Sequence, residues 1–181
     1  DVPMISKIAA GIDNFDSLHN LIESSINSSN EVRDEASAEL QTIRSEMSIA
    51  HDQLQQRMQA LSTSAALRPV LQEPIVTIRD GRYVLPVKAD FRTELPGVVH
   101  DISASGATVY IEPFVIVDLG NHWRELKLQE RREVERILRE LSQAVGAASV
   151  ELSNAIDRLG QIDLALAKGR LARDLNATEL H

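Results

Sequence analysis

Arg79, Arg82, Lys88 and Arg92, followed by Arg124, Lys127 and Arg131, are the residues of this chain best suited by type and spacing to chemistry. Guanidinium and ammonium groups grip phosphate oxygens and need not read a base sequence to do so. His100, Ser103 and Ser105 lie among them and could add hydrogen bonds to the same surface. His100-Asp101 beside two serines also invites a hydrolytic reading. Neighbouring strand residues point to opposite faces, however, so Asp101 is not placed to orient the His100 ring, and a catalytic triad is set aside. There is no G-x-x-x-x-G-K-[ST] phosphate loop and no H-E-x-x-H, and His19, His51, His100, His122 and His181 are scattered. No catalytic residue, metal site or resident cofactor is therefore expected within the chain.

Each candidate has a structural reading beside the functional one. Arg79 and Arg82 flank a tight turn and can instead pair with Asp80, Asp90 or Glu94. Ser103-Ala-Ser105-Gly106 favours a turn whose hydroxyls cap backbone groups over a loop that touches phosphate. Trp123 falls on an apolar seam, which favours a packed ring over a base-stacking platform.

The elements that must position these residues follow from periodicity. Residues 75–79 and 82–87 are β-rich runs around Asp80-Gly81, a dipeptide that turns a hairpin because both positions need positive φ. Pro86 makes the second run an edge at that point, or interrupts it. Residues 97–103 and 108–112 form a second hairpin around Ala104-Ser105-Gly106, and Pro113 closes the ladder and opens a helix.

On both sides the chain reads as helix. Residues 3–12 and 14–26 are short amphipathic helices, the second with Asn14 as its N-cap. Asn27-Ser-Ser-Asn30 is a turn. A long helix over 31–66 follows, with Val32, Ala36, Leu40, Ile43, Met47, Ala50, Leu54, Met58, Leu61 and Ala65 spaced by three and four as in a coiled coil. Pro69 and Pro74 end it. Beyond the β insert, Leu119, Trp123, Leu126, Val134, Ile137, Leu141, Val145, Ala148, Leu152, Ile156, Leu159, Ile162 and Leu166 continue a similar stripe, weakened at Gly146 and Gly160.

The expected fold is therefore mainly α with a small β insert: a long antiparallel helical stalk capped by a small antiparallel β module. Residues 1–30 form root helices, 31–70 ascend, 71–113 are the head, and 114–181 descend with a bend near Gly146.

Composition sets the outer limits. Of 181 residues 43% are hydrophobic but only 3% aromatic, a balance that suits helical seams better than a bulky globular core. No cysteine is present, which excludes disulfides and thiolate metal sites and fits a reducing, cytoplasmic setting. The apolar runs are too short for a bilayer, and no signal peptide opens the chain. Starting at Asp1 without methionine, and ending in a helical pattern, suggest a piece of a longer protein. The net charge of −8 argues against a non-specific nucleic-acid binder. Yet the acidity is concentrated before residue 74, and the β insert and residues 124–139 are where phosphate could be met. A solvated helix face laced with i,i+4 ion pairs is the competing reading there.

Arg79-Asp-Gly-Arg-Tyr-Val-Leu-Pro-Val-Lys88 and Gly97-Val-Val-His-Asp-Ile-Ser-Ala-Ser-Gly-Ala-Thr-Val-Tyr-Ile-Glu-Pro113 together resemble the middle region of the MutS-II family, the second bacterial branch of the MutS ATPases. Glu130-Arg-Arg-Glu-Val-Glu-Arg-Ile-Leu138 and Ile162-Asp-Leu-Ala-Leu-Ala-Lys-Gly-Arg-Leu-Ala172 extend the resemblance along the chain. It implies the lever and clamp portion of such a protein, without its ATPase and Smr nuclease domains; ATP and magnesium are implied only for that missing ATPase. It further implies a homodimer that handles branched or duplex DNA, or ribosomes and their RNA, in restraint of recombination and in ribosome rescue. A structural element that relays the state of the ATPase or packs two protomers, without touching nucleic acid, is the alternative. No membrane and no small-molecule substrate is expected.

Overall fold

A computed structural model describes residues 3–175, so His181 and the expected end of the last helical segment lie outside the described residues. The order is α1 (Pro3–Ala9), α2 (Asp16–Ser25), α3 (Ala38–Ser62), β1 (Thr77–Arg79), β2 (Arg82–Lys88), β3 (Gly97–Ile102), β4 (Thr108–Pro113), α4 (Phe114–Ala147) and α5 (Ser149–Asp174). The fold is mainly α with one small antiparallel sheet. It divides into two compact units, Asp1–Ala36 with Glu135–His181, and Ser37–Val134.

In the Ser37–Val134 unit, α3 begins seven residues later than its apolar spacing suggested. Ser37 decides the start: its hydroxyl accepts from the Leu40 amide at 2.9 Å and donates to the Glu133 carboxylate at 2.6 Å. Val32 and Ala36, although in phase, precede the helix; Val32 instead bridges to Ile26 across the Asn27–Asn30 turn. The helix also stops at Ser62, before either proline, and Ala65 lies beyond it, exposed. Between those ends the seam is as spaced: Leu40, Ile43, Ala50, Leu54 and Met58 are buried. The first half of α4 runs antiparallel to α3. Ser37 meets Glu133, Arg44 meets Glu130 at 2.9 Å, and His51 stacks on Trp123, so one helix ascends as the other descends.

The sheet has the order β1-β2-β4-β3. Asp80 and Gly81 both take positive φ, 49° and 73°, which lets β1 fold back on β2 in two residues. Pro86 does not interrupt β2. It pairs with Tyr110 of β4, and beyond the short β1 its carbonyl accepts from the Gln72 amide. Its missing N–H faces that irregular side, so the ladder to β4 loses nothing. Opposite, β3 carries a bulge between Val99 and Asp101 that leaves His100 without a cross-strand partner. Leu85, Val87, Val109 and Ile111 from the two central strands pack with Leu54, Met58, Val70, Leu71, Leu95 and Ile116 into one core. Gly97 is required there, because a Cβ would run into the Glu112 carbonyl of β4. Gly97→Ala should therefore destabilise the unit, and thermal melting checks it.

In the other unit, Asn14 is not the N-cap of α2. Its side chain accepts from the Asp16 amide at 2.7 Å in a local turn, and Phe15 takes the cap position. α1 packs along α5, with Arg158 donating to the Ile8 carbonyl at 3.4 Å. The stripe expected along α5 is corrected: Ala155 is buried and Leu152 and Ile162 are half-buried, but Ile156, Leu159 and Leu166 are exposed. The helix breaks at Ala148, which lies outside helical geometry (ψ 9°) and separates α4 from α5, so a phase counted through it is lost. Gly160 sits within α5 with open space where a Cβ would go. Gly160→Ala should stabilise by about 1 kcal/mol, read as a higher urea midpoint. Among the described residues no helix is long and apolar enough to cross a membrane.

Candidate nucleic-acid interface

Glu112 is the centre of the polar geometry. Its carboxylate is only 2% exposed and sits between three strands and α4. Oε1 accepts from Arg82 Nη1 at 3.2 Å, and Oε2 lies 2.6 Å from His100 Nε2. Arg82 also donates to the Asn121 carbonyl oxygen at 2.8 Å, tying β2 to α4. Gly120 makes the room: a Cβ there would stand 3.1 Å from Oε1 and 3.4 Å from the guanidinium. The bulge in β3 is what turns His100 towards this carboxylate. Arg82 and His100, both candidates for phosphate contact, are thus engaged inside the protein.

Arg79 lies over the Tyr110 ring at 4.1 Å and reaches Asp101 at 3.2 Å. The partners of the two turn arginines are therefore Asp101 and Glu112, not Asp80, Asp90 or Glu94. Sheet order explains the difference, since it brings β3 and β4 across the face on which these long side chains lie. Lys88 donates to the Pro69 carbonyl at 2.8 Å. Ser103 Oγ accepts from the Thr108 amide at 3.0 Å and faces Ser105 Oγ at 3.4 Å, so these hydroxyls close the turn. His100 and Asp101 turn to different partners and form no catalytic pair.

Four of the candidates remain exposed and without a carboxylate partner: Arg92 on the head, and Arg124, Lys127 and Arg131 on α4. Lys127 places its ammonium 4.6 Å from the Trp123 ring centre. Trp123 is half-buried and belongs to a ring cluster that spacing did not reveal. His51 stacks on it at 5.1 Å, Tyr83 stands at 5.9 Å, and His51 Nε2 is 2.8 Å from the Tyr83 hydroxyl. His51 falls one residue after the buried Ala50 on α3, and that adjacency to the seam was the one available signal. Among the described residues no group of three or more His, Asp or Glu is placed to hold a metal.

Charge is unevenly divided. Ser37–Val134 holds 13 acidic and 11 basic residues, and the other unit 14 and 8. Most of the excess acidity thus lies outside the unit that carries the candidate interface.

These features define a mainly α protein bearing a small antiparallel β module, whose polar side chains largely fix that module to its helices. No family model matches the chain. It is 43% identical over 178 residues to the Endonuclease MutS2 of Symbiobacterium thermophilum, covering 98% of this chain and 22% of that protein. Against the Endonuclease MutS2 of Thermomicrobium roseum it is 48% identical over 155 residues, 86% of this chain and 19% of the relative. Against that of Pelotomaculum thermopropionicum it is 39% identical over 175 residues, 97% and 22% respectively. The chain belongs to the MutS2 family, and it spans about a fifth of the length of these relatives.

Proposed function

We propose that the chain is the lever and clamp portion of a MutS2-family protein and helps to hold nucleic acid by its phosphate backbone. DNA, branched or duplex, and ribosomal RNA offer the same phosphate chemistry. ATP, magnesium and cleavage belong on this reading to other parts of a longer, dimeric, cytoplasmic protein, whose work is restraint of recombination and ribosome rescue. The observation that carries it is the set of exposed cations without carboxylate partners, Arg92, Arg124, Lys127 and Arg131, on the less acidic unit. The ion pairs of Arg79 and Arg82 favour a second reading, a structural element that relays the state of the ATPase.

Titration of the chain with duplex DNA, branched DNA and ribosomes across a salt series separates the two. Contacts to phosphate release counterions, so binding should be weak and fall steeply as salt rises. Absence of binding even at about 50 mM salt would leave the relay. The chain should turn over no ATP and cut no DNA; magnesium-dependent turnover that survives further purification would overturn its non-catalytic role.

A further inference from the structure

The exposed cations of α4 are ordered along the helix. Arg124, Lys127 and Arg131 are spaced by three and four residues, which places them on one stripe spanning about 10 Å. The acids nearest in sequence lie elsewhere: Glu125 is turned about 100° from Arg124, Glu130 pairs with Arg44, and Glu133 is buried against Ser37. One turn before Arg124, Gly120 faces the Arg82 guanidinium, whose charge is already matched by Glu112. The stripe of unmatched charge therefore begins at Arg124.

What the stripe could hold follows from what stands beside it. Proteins that hold unpaired bases offer open aromatic faces as well as cations. The one ring along this stripe is Trp123, which is half-buried, stacked with His51 and in contact with the Lys127 ammonium. Phe114 is exposed, but it lies ten residues away and about 80° or more around the helix from the stripe. Cations held on a rigid helix, without an open ring, suit the regular backbone of a double helix. Phosphates of one strand follow each other by about 3.4 Å along the duplex axis, so a stripe of this length covers about three.

We infer that Arg124, Lys127 and Arg131 form a site that tracks the phosphate backbone of double-helical nucleic acid, DNA or RNA, without reading sequence. The Arg79–Arg82 turn is a structural joint. This rests on the nucleic-acid reading above and narrows it to one face of α4.

The test uses the intact MutS2-family protein carrying this chain, with a duplex DNA and a duplex RNA of equal length as probes across about 50–200 mM salt. Arg124→Gln, Lys127→Gln and Arg131→Gln combined should leave the melting temperature unchanged, because all three side chains are exposed. The salt dependence of log K should fall by about 2.7 in slope, roughly 0.9 for each lost phosphate contact. Arg79→Gln should leave that slope as it was. A similar fall with DNA and with RNA supports a backbone site, and a fall with one alone shows which duplex the site accepts. If the triple variant keeps the wild-type slope while Arg92→Gln lowers it, the stripe is overturned and the nucleic-acid reading stands. If the unaltered protein binds neither duplex, both are overturned.

Discussion

Replacing Glu112 with alanine is expected to remove about 3–5 kcal/mol from the stability of the Ser37–Val134 unit. The carboxylate is matched by Arg82 on one oxygen and by His100 on the other. Its removal strands a guanidinium whose side chain is only 18% exposed, with Asn121 as its remaining partner. An unmatched buried charge costs far more than the pair contributes, and domains of this size have only about 5–15 kcal/mol in all. Glu112→Gln keeps the shape and an acceptor oxygen, so its loss should be smaller. Arg79→Ala sets the scale at the other end, because its pair with Asp101 is substantially open to water and should contribute under about 1 kcal/mol. Urea unfolding followed by Trp123 fluorescence measures all three. An unchanged midpoint for Glu112→Ala would mean that this carboxylate does not hold the β module to α4.

Leu54→Asp should abolish cooperative unfolding of the same unit altogether. Leu54 is 1% exposed and packs in the core with Met58, Leu85, Ile111 and Ile116. Leu54→Ala alone should cost about 2–5 kcal/mol, from lost burial and the cavity left behind. An aspartate adds the expense of a carboxylate with no partner in an apolar site, which brings the total to the stability of the unit. Ile49→Asp, on an exposed position of the same helix, should change stability by no more than about 0.5 kcal/mol. Circular dichroism during thermal melting distinguishes them, and equal melting temperatures would place the seam on another face of α3.

Several features were legible because they obey local rules. Asp80-Gly81 must take positive φ wherever the rest of the chain goes, so the first hairpin could be read directly from two residues. The three-and-four spacing of Leu40, Ile43, Ala50, Leu54 and Met58 identified the buried face of α3 without any knowledge of what covers it. The same rules failed where a single side chain decided the outcome. Ser37 moved the start of α3 past two in-phase residues, and the break at Ala148 shifted the apolar phase of α5.

The candidate interface divides along the same line. Residue type alone named the cations, and helical spacing alone aligned Arg124, Lys127 and Arg131. That Arg82 and His100 are bound to Glu112, that Arg79 reaches Asp101 across Tyr110, and that Trp123 is covered by His51 were decided only by the tertiary structure. Those partners lie 12 to 72 positions apart in the chain. Spacing carries turn geometry and face, because these depend on a few neighbouring dihedral angles. It carries no information on which strands adjoin or where a bulge falls, and these determine whether a charged side chain meets a partner or water.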